Sequence, residues 1–216
     1  MNIVWIKRDL RINDHKPLFK AELTYDDYII LYIFEPSLIR YPDTSLRHLQ
    51  FIYHSIVNMD NKLKKYNRKV HILEAEALNA FQNIIERYDV KNIYSYQESG
   101  IQKTYDRDKN LSNLFKSNNI VWNQYQRDGI IRGITNRKGW DKKWFLRIYQ
   151  DQIINKVSKS KLSFENIYPL SNSIRNKVSK YPDNFQKAGE DEAHKYLESF
   201  VQTRGNKYLK FISKPT

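Results

Sequence analysis

Val4-Trp5-Ile6-Lys7-Arg8-Asp9-Leu10-Arg11-Ile12-Asn13-Asp14-His15 runs a short apolar segment straight into a charged turn and then into a helix start. This spacing predicts the first strand-to-helix joint of an open α/β sheet. The charges then lie at the carboxyl end of the strand, the edge at which such sheets bind ligands. Asp14 is placed to cap the helix that follows. Pro17 stands in the first turn of that helix, where a missing N–H costs little.

The same alternation continues outward from this joint. Tyr28–Phe34 is a continuous apolar run, as a strand buried on both faces requires. Leu46, Leu49, Tyr53, Ile56, Met59 and Leu63 recur at helical spacing. Residues 70–73 read as a third strand, and Ala77, Ala80, Phe81, Ile84, Ile85 and Tyr88 as the apolar face of a helix. Asn92–Tyr96 reads as a fourth strand, 103–116 as a helix and 119–122 as a fifth strand. This order predicts an α/β fold over residues 1–130: a Rossmann-like open five-stranded parallel sheet with helices on both faces.

The pattern changes after Asp128. Gly129, Gly133 and Gly139 interrupt the chain, and 140–150 reads as a helix. Residues 131–187 are expected to form a connector. From 154 onward it shows no sustained period, is rich in Ser, Asn and Lys, and is expected to lie over the domain surface. Gly189 precedes a further helix with Ala193, Tyr196, Leu197, Phe200 and Val201 on one face. That face needs a partner, so residues 188–216 are expected to open a second, helical domain that is cut short.

Composition narrows the function classes. The 216 residues are 40% hydrophobic, enough for one core and some extra chain. Mean hydropathy is −0.74, so much of the remainder is solvated. There are no cysteines, which excludes disulfides and thiolate metal sites. No apolar run is long enough to span a membrane and no leader is visible, so a cytoplasmic location is expected. Net charge is +13 and the pI is 9.6. That excess suits a polyanion such as nucleic acid, or reflects a lysine-rich composition alone. The six glycines cannot build GxGxxG or a phosphate loop, the five histidines lack ligand spacing, and no GxSxG is present. No catalytic or metal-binding residue is assigned.

Two constellations remain. Arg8, Asp9 and Arg11 follow the first strand, Glu35 and Pro36 the second, and Gln97, Glu98 and Ser99 the fourth. All stand at the carboxyl edge near the point where strand order reverses. There they would hold a planar heteroaromatic ligand, with Phe34 as a stacking face, or would only satisfy one another. The second constellation is the basic run Arg127, Arg132, Arg137, Lys138, Lys142, Lys143 and Arg147, interleaved with Tyr125, Trp140, Trp144, Phe145 and Tyr149. Arg137, Lys138, Lys142 and Lys143 are its candidate nucleic-acid contacts. The competing reading makes Trp140, Trp144 and Phe145 packing residues that hold this helix to the sheet.

Several segments together resemble the DNA photolyase/cryptochrome family. "VWIKRDLRINDH" (4–15) is similar to its first strand and turn, and "LYIFEP" (31–36) to its second strand. "ESGIQKTYDRD" (98–108) resembles the stretch after its fourth strand, and "RGITNRKGWDKKW" (132–144) the exit from its α/β domain. "AGEDEAHKYLESFV" (188–201) resembles the start of its helical flavin domain. The resemblance implies an α/β domain that often holds an antenna (a folate, a deazaflavin or a flavin), joined to a helical domain that holds FAD. It implies Arg8, Phe34, Glu35 and Glu98 at the antenna pocket and Tyr208 near the flavin edge. The parent would repair pyrimidine dimers in DNA by light-driven electron transfer from FAD. The chain alone is expected to lack FAD and repair activity and to bind DNA weakly, its partner being the missing helical domain. The alternatives are a fragment of a cryptochrome-type blue-light receptor and a stand-alone basic α/β module for nucleic acid.

Overall fold

Strands β1 (Asn2–Trp5) and β2 (Tyr28–Phe34) are buried at every position, as strands enclosed on both faces must be. With β3 (Val70–Glu74), β4 (Asn92–Tyr96) and β5 (Val121–Tyr125) they form one parallel sheet in the order β3-β2-β1-β4-β5. The structure, a computed structural model, describes residues 1–212. The chain builds outward from β1 to β3, then returns to the other side of β1 for β4. In register, Val4 lies between Ile30 of β2 and Tyr94 of β4. The reversal therefore falls between β1 and β4, and their carboxyl ends open a crevice.

Side-chain alternation assigns the two core layers. Ile3 and Trp5 face helices α4 (Ala77–Arg87) and α5 (Gln102–Ser117), where Ala80, Phe81, Ile84, Leu111 and Phe115 are buried. Val4 and Ile6 face α1 (Lys16–Glu22) and α3 (Leu46–Leu63), with Leu18, Ala21, Ile56, Met59 and Leu63. A short turn of helix, α2 (Pro36–Ile39), follows β2 directly.

Three local expectations are corrected. His15, not Asp14, caps α1: its Nδ1 accepts from the Leu18 N–H at 3.1 Å. Asp14 stands at φ +48° and accepts instead from Ile153 N. The fifth strand begins at Val121, because Asn119 takes a left-handed turn (φ +56°) and pairing with β4 sets the register. Within the connector, α6 (Trp140–Ile148) is followed by a short helix that the sequence reading did not include, α7 (Asn172–Val178). Its start is capped by Ser171, whose hydroxyl accepts from Ile174 N.

The connector does more than drape the surface. Ser160 N donates to Tyr66 O at 3.0 Å and Glu74 N to Tyr168 O at 2.8 Å, so it follows the β3 side of the sheet. Leu170 and Val178 are buried in the same core as Ile30 and Met59. Helix α8 (Glu190–Gln202) and the single turn α9 (Tyr208–Phe211) complete the described elements. Among the described residues no helix is long and apolar enough to cross a membrane. No group of three or more His, Cys, Asp or Glu in that set could hold a metal ion.

Phe81 is fully buried, with its ring edge-to-face against Trp5 at 5.1 Å and Phe115 at 5.0 Å. Phe81→Ala removes both contacts and leaves a cavity under the sheet. It should destabilise the chain by about 3–5 kcal/mol, read as a fall in the urea midpoint with unchanged slope.

Candidate functional site

The period of two that buries Ile3 and Trp5 carries on to Lys7, whose amine folds back over the Trp5 ring at 4.5 Å. Arg8 and Asp9 follow at the mouth of the crevice. Glu35 leaves β2 just before α2, and Glu98 leaves β4 just before α5. On α5, Thr104, Asp108, Leu111 and Phe115 share the buried face, which brings Asp108 and its neighbour Arg107 under the crevice.

These residues form one charge network. Arg107 Nη1 lies 2.6 Å from Glu35 Oε1, and its Nη2 lies 2.7 Å from Asp108 Oδ1 and 3.9 Å from Glu98 Oε2. Arg8 Nε meets Glu98 Oε1 at 3.2 Å, and Lys7 Nζ meets Asp108 Oδ2 at 3.6 Å. The cations Lys7, Arg8 and Arg107 thus balance the carboxylates Glu35, Glu98 and Asp108. Burial lowers the pKa of the Lys7 ammonium, with Asp108 pulling against that shift. Burial lifts the Glu35 carboxyl, opposed by Arg107 and by the Ala77 N–H. Burial also works against the charge on Arg107, but Glu35 and Asp108 outweigh it and hold the guanidinium charged.

Above this network lies a cavity of about 620 Å³. Trp5, Lys7, Arg8, Glu35, Glu98 and Arg107 line the sheet side, and Leu38, Ile39, Leu49 and Ile52 line the side formed by α2 and α3. An apolar wall facing a compact set of donors and acceptors suits a planar heteroaromatic ring. Lys7 Nζ is buried among these groups without a hydrogen-bond acceptor.

Three of the expected pocket residues, Arg8, Glu35 and Glu98, are brought together here. Phe34 is not. It is 2% exposed, packed edge-on against Tyr32 at 4.9 Å within the core, and Tyr32 is the ring that reaches the cavity. Phe34 shares its strand face with Tyr32, and both pack in the core layer that holds α1 and α3. Tyr208 lies far along the chain on α9, half-exposed and edge-on to Phe200, and lines none of the cavities described. Sequence reading missed Lys7, Arg107 and Asp108. The signal was there for two of them: a lysine continuing a buried strand period, and an aspartate inside an apolar helix stripe.

A second network fixes the turn. Lys7 N donates to Asp9 Oδ1 at 2.9 Å, and Asp9 Oδ2 lies 2.7 Å from His15 Nε2. Because His15 Nδ1 accepts from Leu18 N, Nε2 carries the proton and donates to Asp9. Burial favours the neutral acid at Asp9, but its bonds with His15 and Lys7 N win, and its pKa falls below the usual carboxylate value.

The basic run has a different character. Arg137, Lys138, Lys142 and Lys143 are all exposed. Trp140 donates from Nε1 to Gly129 O at 2.9 Å, and Trp144 covers Gly129 so closely that a Cβ there would lie 2.1 Å from its ring. The tryptophans therefore pin α6 to the loop after β5 rather than to the sheet itself.

Comparison with known proteins bears on this arrangement. The family description "DNA photolyase" matches residues 2–139. The chain is 24% identical over 225 aligned positions to a deoxyribodipyrimidine photo-lyase of Buchnera aphidicola, covering 96% of this chain and 46% of that protein. Its fold superposes on a Synechocystis cryptochrome with a TM-score of 0.73 at 16% identity, over 98% of this chain and 48% of that one. It superposes on an archaeal photolyase from Sulfolobus tokodaii, solved with two FAD molecules, with a TM-score of 0.69 at 19% identity, over 91% and 46% of the two chains. The chain thus spans less than half the length of these relatives.

Asp9→Asn tests the turn. An amide in place of the carboxylate forces one of the Lys7 N–H, the His15 Nε2–H or the Leu18 N–H to face another donor. The cost should be about 2–4 kcal/mol at pH 7. The Asp9 pKa is lowered in the folded state, so its contribution is complete above the unfolded value of about 3.9 and is lost as pH falls through the folded value. Urea titrations of both proteins from pH 7 downward should therefore show the gap narrowing below about pH 4.

Proposed function

Because the chain belongs to the DNA photolyase family, we propose that it is the light-harvesting α/β half of a photolyase-type flavoprotein. The whole protein would repair pyrimidine dimers in DNA by light-driven electron transfer from FAD. The observation that carries this reading is the cavity between the carboxyl ends of β1, β2 and β4, where Arg8, Glu35, Glu98 and Arg107 converge below an apolar wall.

The donor set fits an antenna of the folate, deazaflavin or flavin kind. Such a group supplies absorption of light when bound. This chain's residues hold and orient it. Glu35 and Glu98 accept ring N–H groups, and Arg8, Arg107 and the unsatisfied Lys7 amine donate to ring carbonyls or nitrogens. Tyr32 offers a ring in place of Phe34, and Leu38, Ile39, Leu49 and Ile52 exclude water from one face. FAD and the chemistry on DNA are assigned to the part of its relatives that this chain does not match, since it spans 46% of the photo-lyase it resembles. The exposed Arg137, Lys138, Lys142 and Lys143 would add sequence-independent attraction to the DNA backbone.

Purified chain incubated with a folate, a deazaflavin or a flavin and then desalted should retain one of them. Glu98→Ala should lower that retention at least about tenfold. Supplied with FAD, reductant and light, the same chain should leave a dimer-containing oligonucleotide unrepaired. Loss of all three chromophores on desalting would overturn the antenna reading, and repair above the dark control would overturn the division of labour. A full-length protein that holds both chromophores but splits no dimer would be a cryptochrome-type receptor instead.

The charge of the connector gives a separate test. Oligonucleotide binding should weaken steeply with salt and ignore sequence. Replacing Arg137, Lys138, Lys142 and Lys143 with Gln should flatten the slope of log K against log salt by about 3–4. An unchanged slope would remove these four from the interface.

A further inference from the structure

A separate cavity of about 510 Å³ opens at the other end of the sheet, among the first residues of β2 and β3, the end of α3 and residues 160–164 of the connector. Arg68 lines it and is 7% exposed. We propose that this cavity seats the phosphate group of a small phosphate monoester, held by Arg68, Lys64 and Lys69. The seat stands apart from the crevice at the carboxyl ends of the strands.

The charge of Arg68 is buried without a counter-ion. None of the ion pairs among the described residues includes it. Its Nε donates to Ser158 O at 2.7 Å, its Nη1 to Tyr28 O at 2.7 Å and its Nη2 to Ser158 Oγ at 3.0 Å. The guanidinium carbon lies 3.7 Å from the centre of the Tyr28 ring. These neutral partners fix the fork in place but do not cancel its charge. Glu22, the acid behind Ser158, already accepts from the Tyr28 hydroxyl and from Ser158 N and Oγ. Each Nη of a guanidinium carries a pair of N–H bonds, so one on each is left for a further acceptor. A phosphate takes such a fork through two of its oxygens.

The rest of the lining carries the same sign. Lys64 follows α3 and Lys69 precedes β3, and both are exposed without an ion pair among the described residues. The cavity's one carboxylate, Asp60, already accepts from Val70 N at 2.7 Å, and burial raises its pKa. His71 stays neutral at pH 7, because burial and the neighbouring Lys69 lower its pKa to about 4. Three cations against one carboxylate leave an excess of two positive charges in the lining. A phosphate monoester carries about −1.5 to −2 at pH 7 and so matches that excess. A backbone phosphodiester, with about one negative charge per phosphate, does not. Leu162 and Phe164 give the organic part of the ester an apolar wall, and the volume is that of a small-molecule site. Arg68 also clasps Ser158 of the connector to the start of β2, so a phosphate bound on it would tie the connector to the sheet.

Matched probes that differ only in the phosphate read the seat: ribose 5-phosphate against ribose, and adenosine 5′-monophosphate against adenosine. Each is titrated calorimetrically into the full chain at low and moderate salt. In at least one pair the phosphorylated member should bind about tenfold more tightly or better. Added salt should shrink that ratio. Lys64→Gln with Lys69→Gln should lower it at least about threefold. Lys109→Gln with Lys116→Gln, at exposed positions on α5, removes the same charge from the chain and should leave it unchanged. Arg68→Gln should bring the ratio close to one and Arg68→Lys should keep part of it, with circular dichroism confirming the fold; the lysine variants decide the matter if Arg68→Gln does not fold. Equal affinity within both pairs, failure of both esters to bind at millimolar concentration, or the same loss in the two lysine double variants overturns the seat. A short DNA duplex whose binding falls in the Lys64 and Lys69 variant while neither ester binds would assign these cations to a nucleic-acid backbone and overturn the small-molecule site.

Discussion

Strand β1 is enclosed on both faces and paired on both edges, and its continuation is Lys7-Arg8-Asp9. A chain that leaves the middle of a sheet with three charges must neutralise them before they reach solvent. Burying an unpaired charge costs more than most single contacts return. The rest of the carboxyl edge is organised around that demand. Arg107 sits over the Trp5 ring and holds Glu35 and Asp108, Asp108 stands beside Lys7, and Glu98 stands between Arg107 and Arg8. Asp9 turns the other way and locks onto His15, which starts α1. One run of charges thereby fixes the ends of β2 and β4, the orientation of α5 and the first turn of α1.

The parts of this architecture set by local periodicity were legible in the sequence. A short continuous apolar run between turn signals suits an enclosed strand, so β2 was read from Tyr28–Phe34 and the parallel sheet from the alternation of such runs with helical periods. The pairing of Arg8 with Glu98 followed from both residues leaving adjacent strands. What remained hidden depended on contacts between distant segments. Phe34 reads as available to a ligand because it ends a strand, yet it is buried in the core with Tyr32 packed edge-on against it. Asp14 is by residue type the better cap, but a buried acceptor at Asp9 recruits His15 to the position instead. Helix α7 is too short for a sustained apolar period: only Ile174 and Val178, one turn apart, meet the core, and a single serine caps its start. Leu170 and Val178 look like linker residues until the β3 side of the sheet supplies their partners.

The network also divides the site into a fixed and a movable part. Arg107, Glu35 and Asp108 are enclosed and paired with one another, so their geometry is set before any ligand arrives. Preorganised donors and acceptors bind without the cost of ordering them. Arg8 belongs to the same network electrostatically but stands largely in solvent. It is the one cation of the set that can answer to something outside the fold without exposing a buried carboxylate.

The same turn reaches further than the cavity. Glu190, the first residue of α8, is itself buried, and its carboxylate accepts from Asn13 N at 3.1 Å and Ile12 N at 3.4 Å. Gly189 reaches that position with φ +108° and lies so close to Asn58 of α3 that a Cβ would meet it at 2.6 Å. Helix α8 is thus anchored at its first turn by backbone donors of the β1–α1 turn and by Lys62, while Leu197 and Val201 along it stay exposed. The anchor is short and polar, and the exposed apolar residues lie beyond it. Its direction is therefore governed by the turn that also carries Arg8 and Asp9. A change that loosens Asp9 from His15 would move both the mouth of the cavity and the root of α8, because the backbone of residues 8–15 is common to the two.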